Sequence, residues 1–236
     1  MNMPLNTSAD IGDPVAQARY NMIEQQIRPW NVLDPQILEL LSIVRREDFV
    51  PSAYRGMAFM DTEIPLSSAT EEAQRLGQVM LAPRVEARLT QDLQIKPTDR
   101  VLEIGAGSGY MAALLAYRAE HVLSLEIVPD LVEFARENLR SAGVMNAEVR
   151  HADGALDPVT DGPFDVIVLS GSVAQVPQQL LSHLREGGRL AAIVGNEPMM
   201  RATFVRRTGD RFETSTPWDT IAARLQHFPE PSSFTF

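Results

Sequence analysis

The sequence predicts an α/β protein: an open, mostly parallel Rossmann-like sheet covered by helices on both faces. A mainly helical region precedes the sheet and an antiparallel hairpin follows it. Three observations carry this. From residue 99 onward short β-rich runs alternate with helical runs, the pattern of successive βα units. An apolar run at 101–104 leads directly into Gly105-Ala106-Gly107-Ser108-Gly109. Acidic residues then recur within or after three successive predicted strands, as Glu103, Glu126 and Asp153.

Residues 1–13 read as a loose polar tail. Asp13-Pro14 opens a helical pattern with Tyr20, Ile23 and Ile27 on one face, and Arg28-Pro29 breaks it. Asp34-Pro35 combines an N-cap acid with proline at the first helical position. Ile37, Leu38, Leu41 and Val44 give that helix its apolar side. Residues 55–78 are less regular, with a short polar helix expected after Ser67, Ser68 and Thr70. Pro83 starts a clearer helix with Val85, Leu89 and Leu93 in register. Strands are then expected over 101–104, 121–126, 147–151, 164–170 and 189–195. Helices are expected over 109–119, 129–142 and 176–184, and a terminal hairpin over 203–207 and 211–216. The division follows as a tail (1–13), an N-terminal helical region (14–98), a cofactor-binding Rossmann-like domain (99–217) and a C-terminal tail (218–236).

Composition excludes several functions. The 236 residues contain no cysteine, which removes disulfide frameworks, zinc–thiolate sites, iron–sulfur clusters and cysteine nucleophiles. The formal net charge is −10, with no run of Lys or Arg. A nucleic-acid binder needs a positive surface to displace counterions, so no nucleic-acid partner is expected. Residues 1–10 lack the basic start and apolar run of a secretory signal. No stretch approaches the roughly 18 apolar residues of a membrane span. A cytoplasmic protein without membrane contact is expected. His121, His151, His183 and His227 are scattered, and no metal site is expected from their spacing.

The glycine turn carries the first chemical signal. Glycine adopts positive φ and lets a ligand approach the backbone. In open α/β sheets ligands bind beyond the carboxyl ends of the strands. Glu103 lies inside a predicted strand, where a buried acid needs a partner, and it is expected to face the loop or a cation. Glu126 ends the next strand, placed to accept both hydroxyls of a ribose through bonds of about 1.5–3 kcal/mol each. Asp153-Gly154 follows the third strand, within reach of an adenine amino group. Singly, each acid is equally an exposed residue at a strand end. The glycine spacing departs from the dinucleotide fingerprint, its third glycine coming one residue early.

Together these residues resemble the class I S-adenosylmethionine methyltransferases. The resemblance implies S-adenosyl-L-methionine as cofactor. Its methionine portion would lie against Glu103, Gly105, Ala106, Gly107, Ser108 and Gly109. Its ribose would lie at Glu126 and Ile127, and its adenine at Asp153 and Gly154. The flanks resemble one family more closely, the protein-L-isoaspartate O-methyltransferases: 22–28 (MIEQQIR), 46–51 (REDFVP), Ala53-Tyr54, Asp61, 64–66 (IPL), Gly77-Gln78, Pro83, 102–110 (LEIGAGSGY), 163–165 (PFD), 184–190 (LREGGRL) and Gly195. That family methylates isoaspartyl carboxylates of damaged proteins, which makes isoaspartyl-containing proteins or peptides the implied partners.

The family usually reads Gly-Gln-Thr-Ile-Ser where this chain has Gly77-Gln78-Val79-Met80-Leu81, so two hydroxyls expected to orient the acceptor are absent. The family's Thr-Ala-Ala after the fourth strand becomes Ser170-Gly171-Ser172, and an insertion spans about 67–76. Gln78, Ser170 and Ser172 are the candidate catalytic, acceptor-positioning residues. Two alternatives stay open: the same cofactor with another acceptor, motivated by Val79 and Leu81, and a non-catalytic cofactor-binding module.

Overall fold

The computed structural model describes residues 12–157 and 159–230. The expected tail therefore lies outside the described residues, apart from its last two positions. Asp13 accepts a hydrogen bond from Val15 N (2.9 Å) and opens α1, Pro14–Met22. The chain then widens into a π turn, Ile23–Ile27, and tightens into a 3-10 turn, Arg28–Trp30. The break falls at Pro29, which has no N–H to continue the ladder. Asn31 reverses the chain at φ 63°. Asp34 caps α2, Pro35–Ile43, by accepting from Gln36 N at 2.9 Å.

A two-stranded antiparallel ribbon follows, β1 (Ile64–Pro65) with β2 (Val79–Met80). The 67–76 insertion between them carries α3, Thr70–Arg75. Next comes α4, Pro83–Leu93, with Val85, Leu89 and Leu93 buried. Then β3 (Arg100–Ile104), α5 (Tyr110–Ala116), β4 (His121–Glu126), α6 (Pro129–Ser141), β5 (Ala147–His151), β6 (Phe164–Val173), α7 (Gln178–Leu181) and β7 (Leu184–Asn196) alternate as expected. The last two strands are β8 (Met199–Thr208) and β9 (Arg211–Asp219).

The seven strands form one sheet in the order β5-β4-β3-β6-β7-β8-β9. Strands β3 to β7 are parallel, and β8 and β9 are antiparallel. The chain moves outward from β3 to β5, then returns to β6 on the other side of β3. That reversal places the ligand crevice at the carboxyl end of β3.

Several elements differ from the sequence expectation, among them β7, which starts at Leu184 and not at 189. The strand expected over 164–170 extends to Val173. The helix expected over 176–184 shrinks to Gln178–Leu181, because Leu184 already pairs with Phe164 as the start of β7. The terminal hairpin is longer than expected and joins the sheet, with β8 paired to β7 from Asn196↔Met199 to Arg189↔Arg206. Trp218, in β9, donates its indole N–H to Asp92 Oδ2 (2.9 Å) and stacks on Arg88, tying the sheet edge to α4.

Alternate residues of each central strand supply two cores. Val101, Val166 and Ile193 face the layer containing α2, α4 and α5. Leu102, Ile167 and Leu190 face the opposite layer, which includes Phe228. Among the described residues no helix is long and apolar enough to cross a membrane.

Candidate active site

The glycine turn after β3 has the geometry that its composition implies. Gly105, Gly107 and Gly109 have φ of 91°, 53° and 82°, values that L side chains resist. Gly105 N and Ala106 N both donate to Leu125 O, at 2.8 and 3.2 Å, which closes the turn onto β4. At Gly109 an added Cβ would meet the backbone of Ala135 on α6 at 3.1 Å. That glycine therefore serves close helix packing.

At the end of β4, Glu126 is buried, and both of its oxygens are oriented by backbone. Oε2 accepts from Gly107 N (2.9 Å) and Oε1 from Val128 N (3.0 Å). A carboxylate oxygen has a second lone-pair direction, so the pinned group can still accept from a diol.

A narrow cleft, with about 70 Å³ open to the centre of a water molecule, lies over this turn. Of the sequence candidates it is lined by Gln78, Gly105, Gly107 and Glu126. Ile127, Asp153, Gly154 and Ser170 complete the set. Ile104, Leu125, Leu131, Ala152 and Phe228 give it an apolar wall. Gly154 has no room for a Cβ, which would meet Ile104 Cγ2 at 2.5 Å.

The other candidates sit beneath or beside the cleft. Ala106 and Ser108 are buried; Ser108 Oγ accepts from Tyr110 N and Ser108 O from Asn138. Ser172 is fully buried, and its Oγ has no hydrogen-bond partner among the described residues. Its backbone instead pairs with the C-terminal segment.

Glu103 meets two hydroxyls rather than the loop or a cation. Ser124 Oγ donates to its Oε2 and Ser170 Oγ to its Oε1, each at 2.6 Å. Burial pushes its carboxyl up to about 8 against the lowering effect of those bonds, and the charges of Glu86 and Glu126 raise it further. At neutral pH the folded group keeps its proton while the unfolded chain has lost it.

Stability from this group is complete below the ordinary value of 4.5 and is lost as pH rises toward 8. Urea unfolding across that window is therefore expected to show falling stability. Glu103→Gln should flatten the slope and unfold at higher urea than the parent at pH 8. An unchanged slope would show that Glu103 is ionised in the folded state.

Residues outside every motif complete the site. The segment from Ala222 to Phe228 crosses the cleft as a strap. Ser172 N donates to Ala223 O (2.7 Å) and Leu225 N to Ser172 O (2.9 Å). Leu225 lies over two glycines: a Cβ on Gly171 would be 2.7 Å from Leu225 Cγ, and one on Gly105 would be 3.0 Å from Cδ2. Gln226 Nε2 donates to Leu76 O at 2.9 Å. His227 Nδ1 meets Asp153 Oδ2, while Asp153 Oδ1 accepts from Ala155 N. Leu66, Leu76 and Val79 line the opposite wall. Leu81, by contrast, is packed in the core. Of the two lost hydroxyl positions only 79 borders the cleft.

A doubly wound sheet whose β3 turn departs from the dinucleotide glycine spacing, with a pinned carboxylate at the end of β4 and an apolar slot beyond it, fits a sulfonium nucleoside. This is an S-adenosylmethionine-dependent methyltransferase. The chain belongs to the protein-L-isoaspartate(D-aspartate) O-methyltransferase family, whose sequence profile matches residues 17–221.

It is 39% identical over 203 residues to a protein-L-isoaspartate O-methyltransferase of Methanoculleus marisnigri, covering 86% of this chain and 88% of the relative. It is 37% identical over 198 residues to that of Yersinia enterocolitica, covering 84% and 91%. A solved protein-L-isoaspartate O-methyltransferase superposes with a TM-score of 0.74 at 23% identity, over 89% of this chain and 67% of the other. A Plasmodium falciparum structure described as a putative member in complex with S-adenosyl-L-homocysteine gives 0.69 at 20%, over 86% and 97%. At these identities the structures speak for the fold alone.

Proposed function

We propose that the protein transfers a methyl group from S-adenosyl-L-methionine to the isoaspartyl carboxylate of damaged proteins. The observation that carries this is Glu126, buried and held by Gly107 N and Val128 N at the mouth of the glycine turn, in a chain of this family. Glu126 and Ile127 would hold the ribose, Asp153 and Gly154 the adenine edge, and Gly105 and Gly107 the methionine portion. When bound, the cofactor supplies an electrophilic methyl on a positively charged sulfur.

A carboxylate acceptor has an ordinary pKa near 4 and is ionised at neutral pH, so no general base is required. Its oxygen forms the new O–CH3 bond while the sulfur takes the electron pair of the broken bond. Opposite charges combine into neutral products, which favours a site closed to water. The chain's task is alignment, worth up to roughly 7–11 kcal/mol. Gln78 and Ser170 border the space where the acceptor would sit. Ser170 Oγ donates to Glu103 Oε1 at 2.6 Å, which fixes that hydroxyl at the edge of the space.

Labelled S-adenosylmethionine is expected to methylate an isoaspartyl peptide well above its aspartyl counterpart. Equal labelling of the two by folded protein would remove the substrate assignment. A second reading, the same cofactor with a less polar acceptor, is favoured by the apolar Val79 lining the cleft.

A further inference from the structure

Arg224 stands in the strap, half-buried, on the wall of the cleft. Its Nη2 donates to Gly195 O (2.9 Å) and Asn196 Oδ1 (2.6 Å) at the end of β7. Its Nε faces Glu230 Oε1 at 3.0 Å, an acid more than half exposed. Its Nη1 is buried and has no hydrogen-bond partner among the described residues. A buried N–H without an acceptor is costly, and guanidinium presents its donors in a planar fork matched to a carboxylate.

The charge pattern of the cleft points the same way. Among the described residues Arg224 is the only Lys or Arg lining it, and its other charged lining residues are the acids Glu126 and Asp153. An anionic acceptor entering beside those two acids needs a compensating cation. Val79, which also lines the cleft, offers no hydroxyl to such an anion.

We propose that Arg224 is the acceptor-binding residue that receives the isoaspartyl carboxylate. Gly195 and Asn196 brace the guanidinium, and Nη1 supplies the hydrogen bond to the incoming oxygen. This rests on the isoaspartyl reading above. It assigns recognition of the acceptor's charge to the C-terminal strap instead of to the 77–81 segment.

The test compares an isoaspartyl peptide with the same peptide carrying a carboxamide in place of the free carboxyl, the latter as competitive inhibitor. The wild-type protein should bind the carboxylate at least about tenfold tighter than the amide. Arg224→Gln should raise KM for the carboxylate peptide about 10–100-fold. It should also bring the carboxylate-to-amide preference close to unity while S-adenosylhomocysteine affinity, measured by calorimetry, stays as in the parent. Arg224→Lys, which keeps the charge, should retain part of the preference and serves if the glutamine variant folds poorly.

A preference that survives in Arg224→Gln overturns the proposal. So does a loss of S-adenosylhomocysteine affinity that matches the rise in KM, which would place Arg224 on the cofactor's own carboxylate. A wild-type protein that binds neither peptide removes the isoaspartyl reading, and this assignment with it.

Discussion

Glu126→Ala is expected to weaken S-adenosylhomocysteine binding by about 100-fold or more, since each of two charge-assisted hydrogen bonds to a ribose is worth roughly 1.5–3 kcal/mol. The loss has a second source. The carboxylate also fixes Gly107 N and Val128 N, and without it the turn's backbone loses its anchor on β4. Glu126→Gln keeps one acceptor oxygen and should fall between the parent and the alanine variant. Calorimetry with the folded variants checks this. Binding by Glu126→Ala within about threefold of the parent would mean that the nucleoside does not lie at the end of β4.

The largest expected effect on stability belongs to Arg46. Its side chain is completely buried. It pairs with Glu86 on α4 and donates to Ala58 O (3.1 Å) and Leu81 O (2.7 Å), and its guanidinium lies 5.3 Å from the ring centroid of Tyr110. Burial pushes the Glu86 carboxyl up to about 7, and the Arg46 charge opposes that rise. Arg46→Met removes the opposing charge and leaves a buried acid without its partner.

The expected cost is about 3–5 kcal/mol, the range for breaking one side of a buried pair. In a chain of this size that lowers the unfolding midpoint by roughly 6–20 °C. The double variant Arg46→Met, Glu86→Leu should recover much of the loss, because apolar side chains of similar volume suit the site. Thermal unfolding of the three variants tests the coupling. A double variant no more stable than Arg46→Met would show that the two backbone carbonyls, rather than Glu86, set the cost. The pair also reaches the site, since Leu81 O anchors the chain just after Gln78 and Val79.

Much of the sheet was legible because its strands are short apolar runs bounded by turn residues, and its helices carry clear caps, as at Asp13 and Asp34. Two errors share a cause. Residues 184–188 hold two glycines and two charged side chains among five, which reads as a loop. Pairing of Leu184 with Phe164 nonetheless draws them into β7. Likewise Val176 and Leu184 lengthened the apparent α7, although tertiary pairing claims Leu184 for the sheet.

The half of the cleft that local backbone geometry dictates was readable: positive-φ glycines, and acids at strand ends. The half built by distant segments was not. Nothing in the residues of the 222–228 run marks it as a strap, because its role depends on Ser172 exposing backbone groups to it at the end of β6. Glu103 was found as a buried acid. Its partners Ser124 and Ser170 lie on the two neighbouring strands and emerge only once β4, β3 and β6 are laid side by side.

The strap makes the 222–228 segment and the cleft one thermodynamic system. His227 shares Asp153 with the predicted adenine edge, and Leu225 rests on Gly105. Occupancy of the hollow therefore alters how firmly that segment is anchored, and by linkage its anchoring alters affinity by the same factor. A substitution within 222–228 is then expected to change ligand affinity and the anchoring of that segment together.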